Sequence, residues 1–526
     1  MSSDYVNDLL DFSEAPSLSE KSEIIAFFNN ATVLVTGGTG FLGKLLIEKL
    51  LRSCPGITKL YMIVRPKKGK TAEERFKENF SEIIYDPLKK EQPNFLNKIV
   101  MLEGDASKEN YGLSEEDKSL VMTANVIFHA AAVVRFDEKI RTVTNTNVRS
   151  TKFILKLAKE MPNLKAFVYV STAFSQCTEK VINEIHYKNI MDADKVLALV
   201  DIIDDDKKLE QITPTLIDKW PNTYVYTKAL AENMILKHSE DLPVCIVRPS
   251  IVISTYKEPI AAWTNNLYGA TGVVIGSGVG LLRTLHCYPD NISEIVPADY
   301  VIANIIAAAW DTAKRKASLT PAEFSNLKDE EKIPIYNYVS SCQNPIHWGL
   351  FMKLNSTIGV TVPPINAIWY YMLILNKYLF VHNVSAFFLH TIPAIIMDGL
   401  AYLTGRKPML LDAYRKIHKF SHVISFFCTN QWSFRDNNVV KLWERMNPAD
   451  QEIFHFNIKA LDWEDYFLVH IKGLRVYMLK DPMDTLEPAR AKYKKLKIAH
   501  YTILILGSLL LLWTVGQFLC YLWSFF

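Results

Sequence analysis

Apolar residues fall in short blocks through the first half of the chain and in long, almost uncharged runs through the last third. The two patterns predict different structures. Thr32-Val33-Leu34-Val35 is a β-branched run of strand type, and Phe41-Leu42 with Leu45-Leu46, set against Lys44 and Glu48, reads as an amphipathic helix. The alternation continues with a strand at Lys59–Val64, a helix over 71–85, strands at 99–102 and 126–128, and a helix from about Asn147. A strand over 166–170, a helix from about Tyr224 and a strand over 244–247 follow. Such alternation predicts an α/β fold: a Rossmann-type, doubly wound parallel sheet.

The last third predicts a smaller, mainly helical domain with membrane contacts. Between Leu354 and Met397 the only Lys, Arg, Asp or Glu is Lys377, but His382, Asn383, His390 and Pro393 interrupt the run. Segment 365–397 is therefore expected to associate with a membrane without clearly crossing it, since a lysine and two histidines in hydrocarbon are costly. From Ile498 to Phe526 there is no charged residue, and a transmembrane helix is predicted over 498–520. Arg490, Lys492, Lys494, Lys495 and Lys497 precede it, which places the catalytic part on the cytosolic face. Asp4, Asp8, Asp11, Glu14, Glu20 and Glu23 make residues 1–28 a polar lead-in rather than a signal peptide. The expected order is then lead-in 1–28, Rossmann domain 29–270, substrate-binding extension 271–360, C-terminal domain 361–485 and membrane helix 498–520.

Composition narrows the reading. A chain of 526 residues with 49% hydrophobic content can bury a large core, and a net charge of +3 gives no footing for nucleic-acid binding. The 7 cysteines include no C-x-x-C pair and no metal spacing, so no metal site is expected and the compartment is reducing.

Candidate chemistry lies at the carboxyl ends of the strands, where ligands bind in such sheets. Thr36-Gly37-Gly38-Thr39-Gly40-Phe41-Leu42-Gly43 occupies the first strand-to-helix turn, and its glycines suit a dinucleotide pyrophosphate held at a helix N-terminus. Arg65 stands where an acidic residue would bind an NAD ribose, followed by Lys67 and Lys68, so the expected cofactor is NADPH. Asp105 is assigned to the adenine amino group, and Ala130, Ala131 and Pro249 to the wall on which the cofactor lies. Ser171 and Thr172 supply hydroxyls after a central strand. Tyr224 and Lys228, four apart on one helix face, suit a proton donor and a cation that makes it more acidic. His129 reads as a satisfied core histidine. Gly272, Gly276, Gly278 and Gly280 are expected to form a loop over the substrate cleft, with Arg283 a candidate contact for a CoA phosphate.

The ordered set of turn, strand-end hydroxyls and Tyr-x-x-x-Lys resembles the extended short-chain dehydrogenase/reductase superfamily over about residues 30–300. More narrowly, Val170-Ser171-Thr172-Ala173-Phe174, Tyr224 to Glu232, Val247-Arg248-Pro249-Ser250, Asp450, Phe454-His455-Phe456 and Leu461-Asp462-Trp463 with Tyr466 resemble the animal, insect-like alcohol-forming fatty acyl-CoA reductases. The resemblance implies NADPH-dependent reduction of a long-chain fatty acyl-CoA to a fatty alcohol by two hydride transfers through an aldehyde. It also implies catalytic roles for Tyr224 as acid, Lys228 as its partner, and Thr172 or Ser171 as the hydroxyl that polarises the carbonyl. Asn147 matches a structural asparagine, with Ser150 where the superfamily usually has glycine. Implied partners are the acyl-CoA and a lipid membrane, endoplasmic reticulum rather than peroxisome because the chain does not end in Ser-Lys-Leu. The sequence specifies neither oligomeric state nor acyl-chain length. Two rivals share parts of the pattern: a membrane-linked hydroxysteroid dehydrogenase, which has no need of the Trp463 region, and a silent NADPH-binding scaffold, which has no need of Tyr224 and Lys228.

Overall fold

Strands β1 (Thr32–Thr36), β2 (Lys59–Val64), β3 (Ile99–Glu103), β4 (Val126–His129), β5 (Ala166–Val170), β6 (Val244–Pro249) and β7 (Ile335–Tyr338) form a sheet in the order β7-β6-β5-β4-β1-β2-β3, each pair parallel. The computed structural model describes residues 21–524 apart from 68 and 189, so Lys68 and most of the acidic lead-in, Asp4 to Glu20, lie outside the described residues. Strand order reverses between β1 and β4, which opens a crevice at their carboxyl ends. β4, β5 and β6 are buried along their whole length, the burial on both faces that makes parallel strands read as unbroken apolar runs.

The chain makes two compact units that interleave along the sequence. The first holds the residues up to Asn266 together with Ile292–Ile346 and Asn430–Asp462, and the second holds Leu267–Asn291, His347–Thr429 and the chain from Trp463. This differs from a succession of consecutive blocks, because β7 lies beyond residue 270 yet pairs with β6, Ile335 opposite Ile246. Four residues, Ile335-Tyr336-Asn337-Tyr338, directly after the charged turn Asp329–Lys332 are too short a run to stand out as a strand. Residues 430–462 are bound to the same unit by polar side chains. Arg445 donates two hydrogen bonds to buried Asp311 at 2.7 and 2.8 Å, Tyr338 donates to the Phe456 carbonyl at 2.7 Å, and Asp450 caps helix Glu23–Phe28 by accepting from Ser22 and the amides of Glu23 and Ile24.

In the first unit, α1 (Phe41–Ser53) follows β1, the chain is helical from Ile140 through a π-helical turn Thr144–Arg149 into α2 (Ser150–Glu160), and α3 is Thr223–His238. The helix expected from Asn147 thus begins earlier, and Asn147 sits inside the π turn.

The second unit corrects three expectations. Gly272 and its neighbours form a helix, α4 (Ala270–Gly278), not a loop. Thr271, Val273 and Val274 are buried on the helix, so packing rather than propensity holds it, and a Cβ on Gly272 would lie 2.5 Å from the Leu267 carbonyl oxygen, so its glycine serves close packing. Gly280, at φ +82°, ends the turn against the Trp369 backbone. In the first unit, α5 (Ala298–Ala317) follows. The apolar run expected over 365–397 is helical only from Leu379, as α6 (Leu379–Leu403), and Lys377 lies before it, paired with Asp290 at 2.6 Å. Helix α7 (Leu410–Thr429) comes next, and α8 (Leu486–Trp523) begins well before Ile498, so the basic residues Arg490 to Lys497 occupy its first turns. Both α6 and α8 are long and apolar enough to cross a membrane.

Candidate active site

The glycine turn is shaped by what surrounds it. Gly37 has φ +77°, and a Cβ there would meet the Ala131 nitrogen at 2.6 Å, so a side chain would collide with the β4 end as well as strain the turn. A Cβ on Gly43 would reach the Gly37 carbonyl oxygen at 2.2 Å, which is why α1 can start directly against the turn. Gly40 is the N-cap of α1 and offers no side-chain cap, leaving the first amides of a 13-residue helix to an incoming anion. The Phe41 ring stacks on buried Trp263 with centroids 5.7 Å apart. These features fit a dinucleotide pyrophosphate.

His129 ties the turn to the strand beside it. Thr151 donates to the Asn147 carbonyl at 2.7 Å, so at 3.1 Å it accepts from His129 Nε2, and Nδ1 is left to accept from Thr36 Oγ1 at 2.6 Å. Burial, reinforced by Lys228, lowers this imidazole to about 3 and keeps it neutral. It is the satisfied core histidine expected from sequence. Thr36 Oγ1 in turn accepts from the Ala131 amide at 3.3 Å.

At the adenosine end, Arg65 follows β2 with its side chain 45% exposed, its Nη1 3.6 Å from Asp105 Oδ1. Asp105 also accepts from the amide and hydroxyl of Ser107 at 2.9 and 2.8 Å. Arg75, which sequence reasoning passed over, donates to the Arg65 carbonyl and, at 3.3 Å, to Thr39 Oγ1. Two guanidinium groups, the Asp105 carboxylate and a hydroxyl therefore gather after β2. The capping box Thr71/Glu74 that starts helix Ala72–Ser81 was the available signal, since it fixes where the first turn carrying Arg75 begins.

The two hydroxyls after β5 have different partners. Ser171 donates to Glu232 Oε1 at 2.5 Å, and Glu232 also accepts from Ser175, Gln176 and, at 2.9 and 2.6 Å, Arg248. Burial would raise the Glu232 carboxyl, but Arg248 and these donors hold it below the usual range. Thr172 lies close to the Tyr224 phenol instead. Burial pushes that phenol up to about 12 against the opposing effect of the Thr172 hydroxyl, so it holds its proton at neutral pH. Lys228, one turn on, donates to the Val170 carbonyl at 2.6 Å and lies 4.7 Å over the Tyr169 ring; burial lowers its ammonium to about 7. Asn147 holds the loop after β4 by accepting from the Val133 amide at 2.8 Å and donating to Thr227 at 3.0 Å. Ser150 at the usual glycine position is accommodated by donating to the Thr146 carbonyl. Pro249, the last residue of β6, is buried. Arg283 is in the second unit, where its guanidinium donates to the Gly280 and Leu389 carbonyls. Among the described residues no His, Cys, Asp and Glu group could hold a metal.

A glycine turn capping an uncapped helix, a neutral core histidine, and a Thr-Tyr-Lys set after the central strands define a nicotinamide-dependent reductase of Rossmann type. Comparison with known proteins agrees. A family model described as Male sterility protein, an NAD-binding one, matches residues 35–305, and a second of the same description matches residues 389–481. The chain is 38% identical to the fatty acyl-CoA reductase wat of Drosophila melanogaster, covering 95% of this chain and 94% of that one. It is 36% identical to fatty acyl-CoA reductase 1 of Rattus norvegicus, covering 93% and 92%. The reductase domain of a nonribosomal peptide synthetase from Mycobacterium tuberculosis shares the fold, at 16% identity and TM-score 0.55 over 91% of this chain and 99% of that one. The chain belongs to the fatty acyl-CoA reductase family.

Proposed function

We propose that the protein reduces a long-chain fatty acyl-CoA to the primary alcohol and free CoA, using NADPH, while attached to a membrane. The observation that carries this reading is the placing of the Thr172 hydroxyl close to the Tyr224 phenol, one helical turn from buried Lys228. Each of the two reductions would take one hydride at the carbonyl carbon from a separate NADPH. In the first, the thioester oxygen gains charge, Thr172 donates to it, and Tyr224 passes it a proton, giving a hemithioacetal. The C–S bond then breaks, CoA leaves as thiolate, and the hydroxyl proton returns to the Tyr224 phenolate, giving the aldehyde. In the second, Tyr224 protonates the alkoxide as it forms and regains a proton from solvent. Lys228 in its protonated form is the cation nearest in sequence to stabilise the phenolate between steps.

Arg65 and Arg75 support NADPH over NADH, because two guanidiniums suit a 2′-phosphate. Helix α8 suits a single membrane crossing with Arg490 to Lys497 on the cytosolic side, in the endoplasmic reticulum. Tyr224→Phe is expected to lower alcohol formation from palmitoyl-CoA by about 10²–10⁴-fold, with NADPH binding retained. An undiminished rate overturns the assignment, and turnover of a ketosteroid in place of the acyl-CoA overturns the substrate class. Arg65→Ala should raise the KM for NADPH about 10–100-fold and leave that for NADH unchanged.

A further inference from the structure

Helix α6 is built the wrong way round for a helix in water. Every fourth residue from His382 through Ala386, His390 and Ala394 to Asp398 is buried, and three of these five are polar. On the side opposite this row, Val384, Phe388, Ile396 and Leu400 are exposed, Phe388 by 59% and Ile396 by 57%, while His390 is 0% exposed. A soluble helix buries its apolar stripe and exposes its polar one.

The buried row is fully used inside the unit. Asp398 accepts from the amides of Met409, Leu410 and Leu411, and so caps α7. His390 Nδ1 meets His418 Nε2 at 3.0 Å, and its ring stacks on Tyr414 at 4.7 Å. Helix α7 is thus bound along α6, and it carries exposed Asp412, Arg415, Lys416 and Lys419. Were α6 to cross a bilayer, it would take these charges into hydrocarbon with it, which is strongly unfavourable. Its height is also fixed. Arg283 donates its amide to His390 Nε2 at 2.9 Å and lies over the Trp369 ring at 5.7 Å, and Trp369 donates to His500 at 3.0 Å, where the uncharged part of α8 begins. The middle of α6 therefore sits level with the point at which α8 leaves its basic turns. Exposed Arg406 and Lys407 at the α6 end add positive charge suited to anionic headgroups.

We propose that α6 lies in the plane of the membrane, its Val384–Leu400 face sunk into the cytosolic leaflet of an anionic bilayer, as a second attachment beside the α8 anchor. This rests on α8 crossing that bilayer. The test uses the full chain, with exposed Cys342 and Cys520 replaced by serine, in phosphatidylcholine–phosphatidylserine vesicles. Single cysteines at Val384→Cys, Phe388→Cys, Ile396→Cys and Leu400→Cys carry an environment-sensitive fluorophore, quenched by lipids spin-labelled at shallow or deep acyl positions. From 384 to 400 an α-helix rises about 24 Å, so a crossing helix would give depths that differ widely. The expected result is blue-shifted emission at all four, with shallow labels quenching several-fold better than deep ones and equally at each site. Strongest quenching by deep labels at 388 and 396, or no quenching anywhere, overturns the proposal. Leu510→Cys reports α8 separately: if deep labels fail to quench it, the anchor reading has failed rather than this one. Lys208→Cys in the first unit is the aqueous control, and retained NADPH binding certifies each variant as folded.

Discussion

Helices α3 and α6 each turn a row of polar side chains inward, and their surroundings give the rows different work. On α3 the row is half-buried Tyr224 with buried Lys228 and Glu232, and the flanking Val225, Tyr226, Ala229, Leu230 and Met234 are buried. On α6 the row is His382, His390 and Asp398, and it is almost the only buried part of the helix. Enclosure by buried neighbours strengthens hydrogen bonds and shifts acidities, which is what places the Tyr224 phenol at about 12 and the Lys228 ammonium at about 7. A polar row under an exposed apolar face instead fixes which side of a helix meets protein. The first arrangement favours chemistry and the second orientation.

The comparison breaks most visibly at Glu232. Glu232→Gln keeps the shape and a hydrogen-bond acceptor for Ser171 but leaves the fully buried Arg248 without its counter-charge. A loss of about 3–5 kcal/mol is expected, read as a lowered denaturant midpoint of the first unit, and partly restored when Arg248→Met is added. An unchanged midpoint would mean that the α3 row does not depend on charge.

Next come the neighbouring hydroxyls. Thr172→Val should lower kcat about 10²–10³-fold with stability nearly unchanged, because it lies close to the phenol and not to the buried carboxylate. Ser171→Ala should do the reverse, costing about 1.5–3 kcal/mol of stability with kcat close to native, because its partner is the buried carboxylate. Exchange of these two outcomes would reassign the carbonyl-polarising hydroxyl.

Lys228 gives the enclosure a pH signature. Its folded-state value of about 7 lies below the ordinary 10.5, so between those values the unfolded chain binds the extra proton. Stability from this group therefore rises as pH climbs from 7 towards 10.5, and below 7 its penalty is constant. Lys228→Met should flatten that rise in a pH series of unfolding midpoints, and an equal slope in both proteins would show that the ammonium is not desolvated.

Much of this was legible in the residues. The strands at the sheet centre are unbroken apolar runs, and the turn, Ser171-Thr172 and Tyr224-x-x-x-Lys228 stand at fixed offsets from them. Three features were hidden for physical reasons. β7 is short and stands among charged residues, so its pairing with β6 has no periodic signature. The roles of Glu232 and Arg248 depend on two charges meeting across 16 positions at the back of the site. The glycines of α4 read as a loop because helix propensity disfavours them, and the close packing of Gly272 on the Leu267 carbonyl and the Phe420 ring, the latter far along the chain, leaves no local pattern.

The smallest effect separates the two rows most cleanly. Asp398 works through geometry: its two oxygens accept from three amides at 2.9 to 3.0 Å at the start of α7. Asp398→Ala should therefore cost about 0.5–2 kcal/mol, seen as faster tryptic cleavage after Arg406 in the full chain. Asp398→Asn keeps a carbonyl oxygen able to cap those amides and should recover most of the protection. Glu232→Gln is the same kind of change, carboxylate to amide, and is expected to recover nothing, because Arg248 requires the charge. If both amides rescue, or neither does, enclosure makes no difference to what an inward polar row requires, and the distinction between α3 and α6 fails.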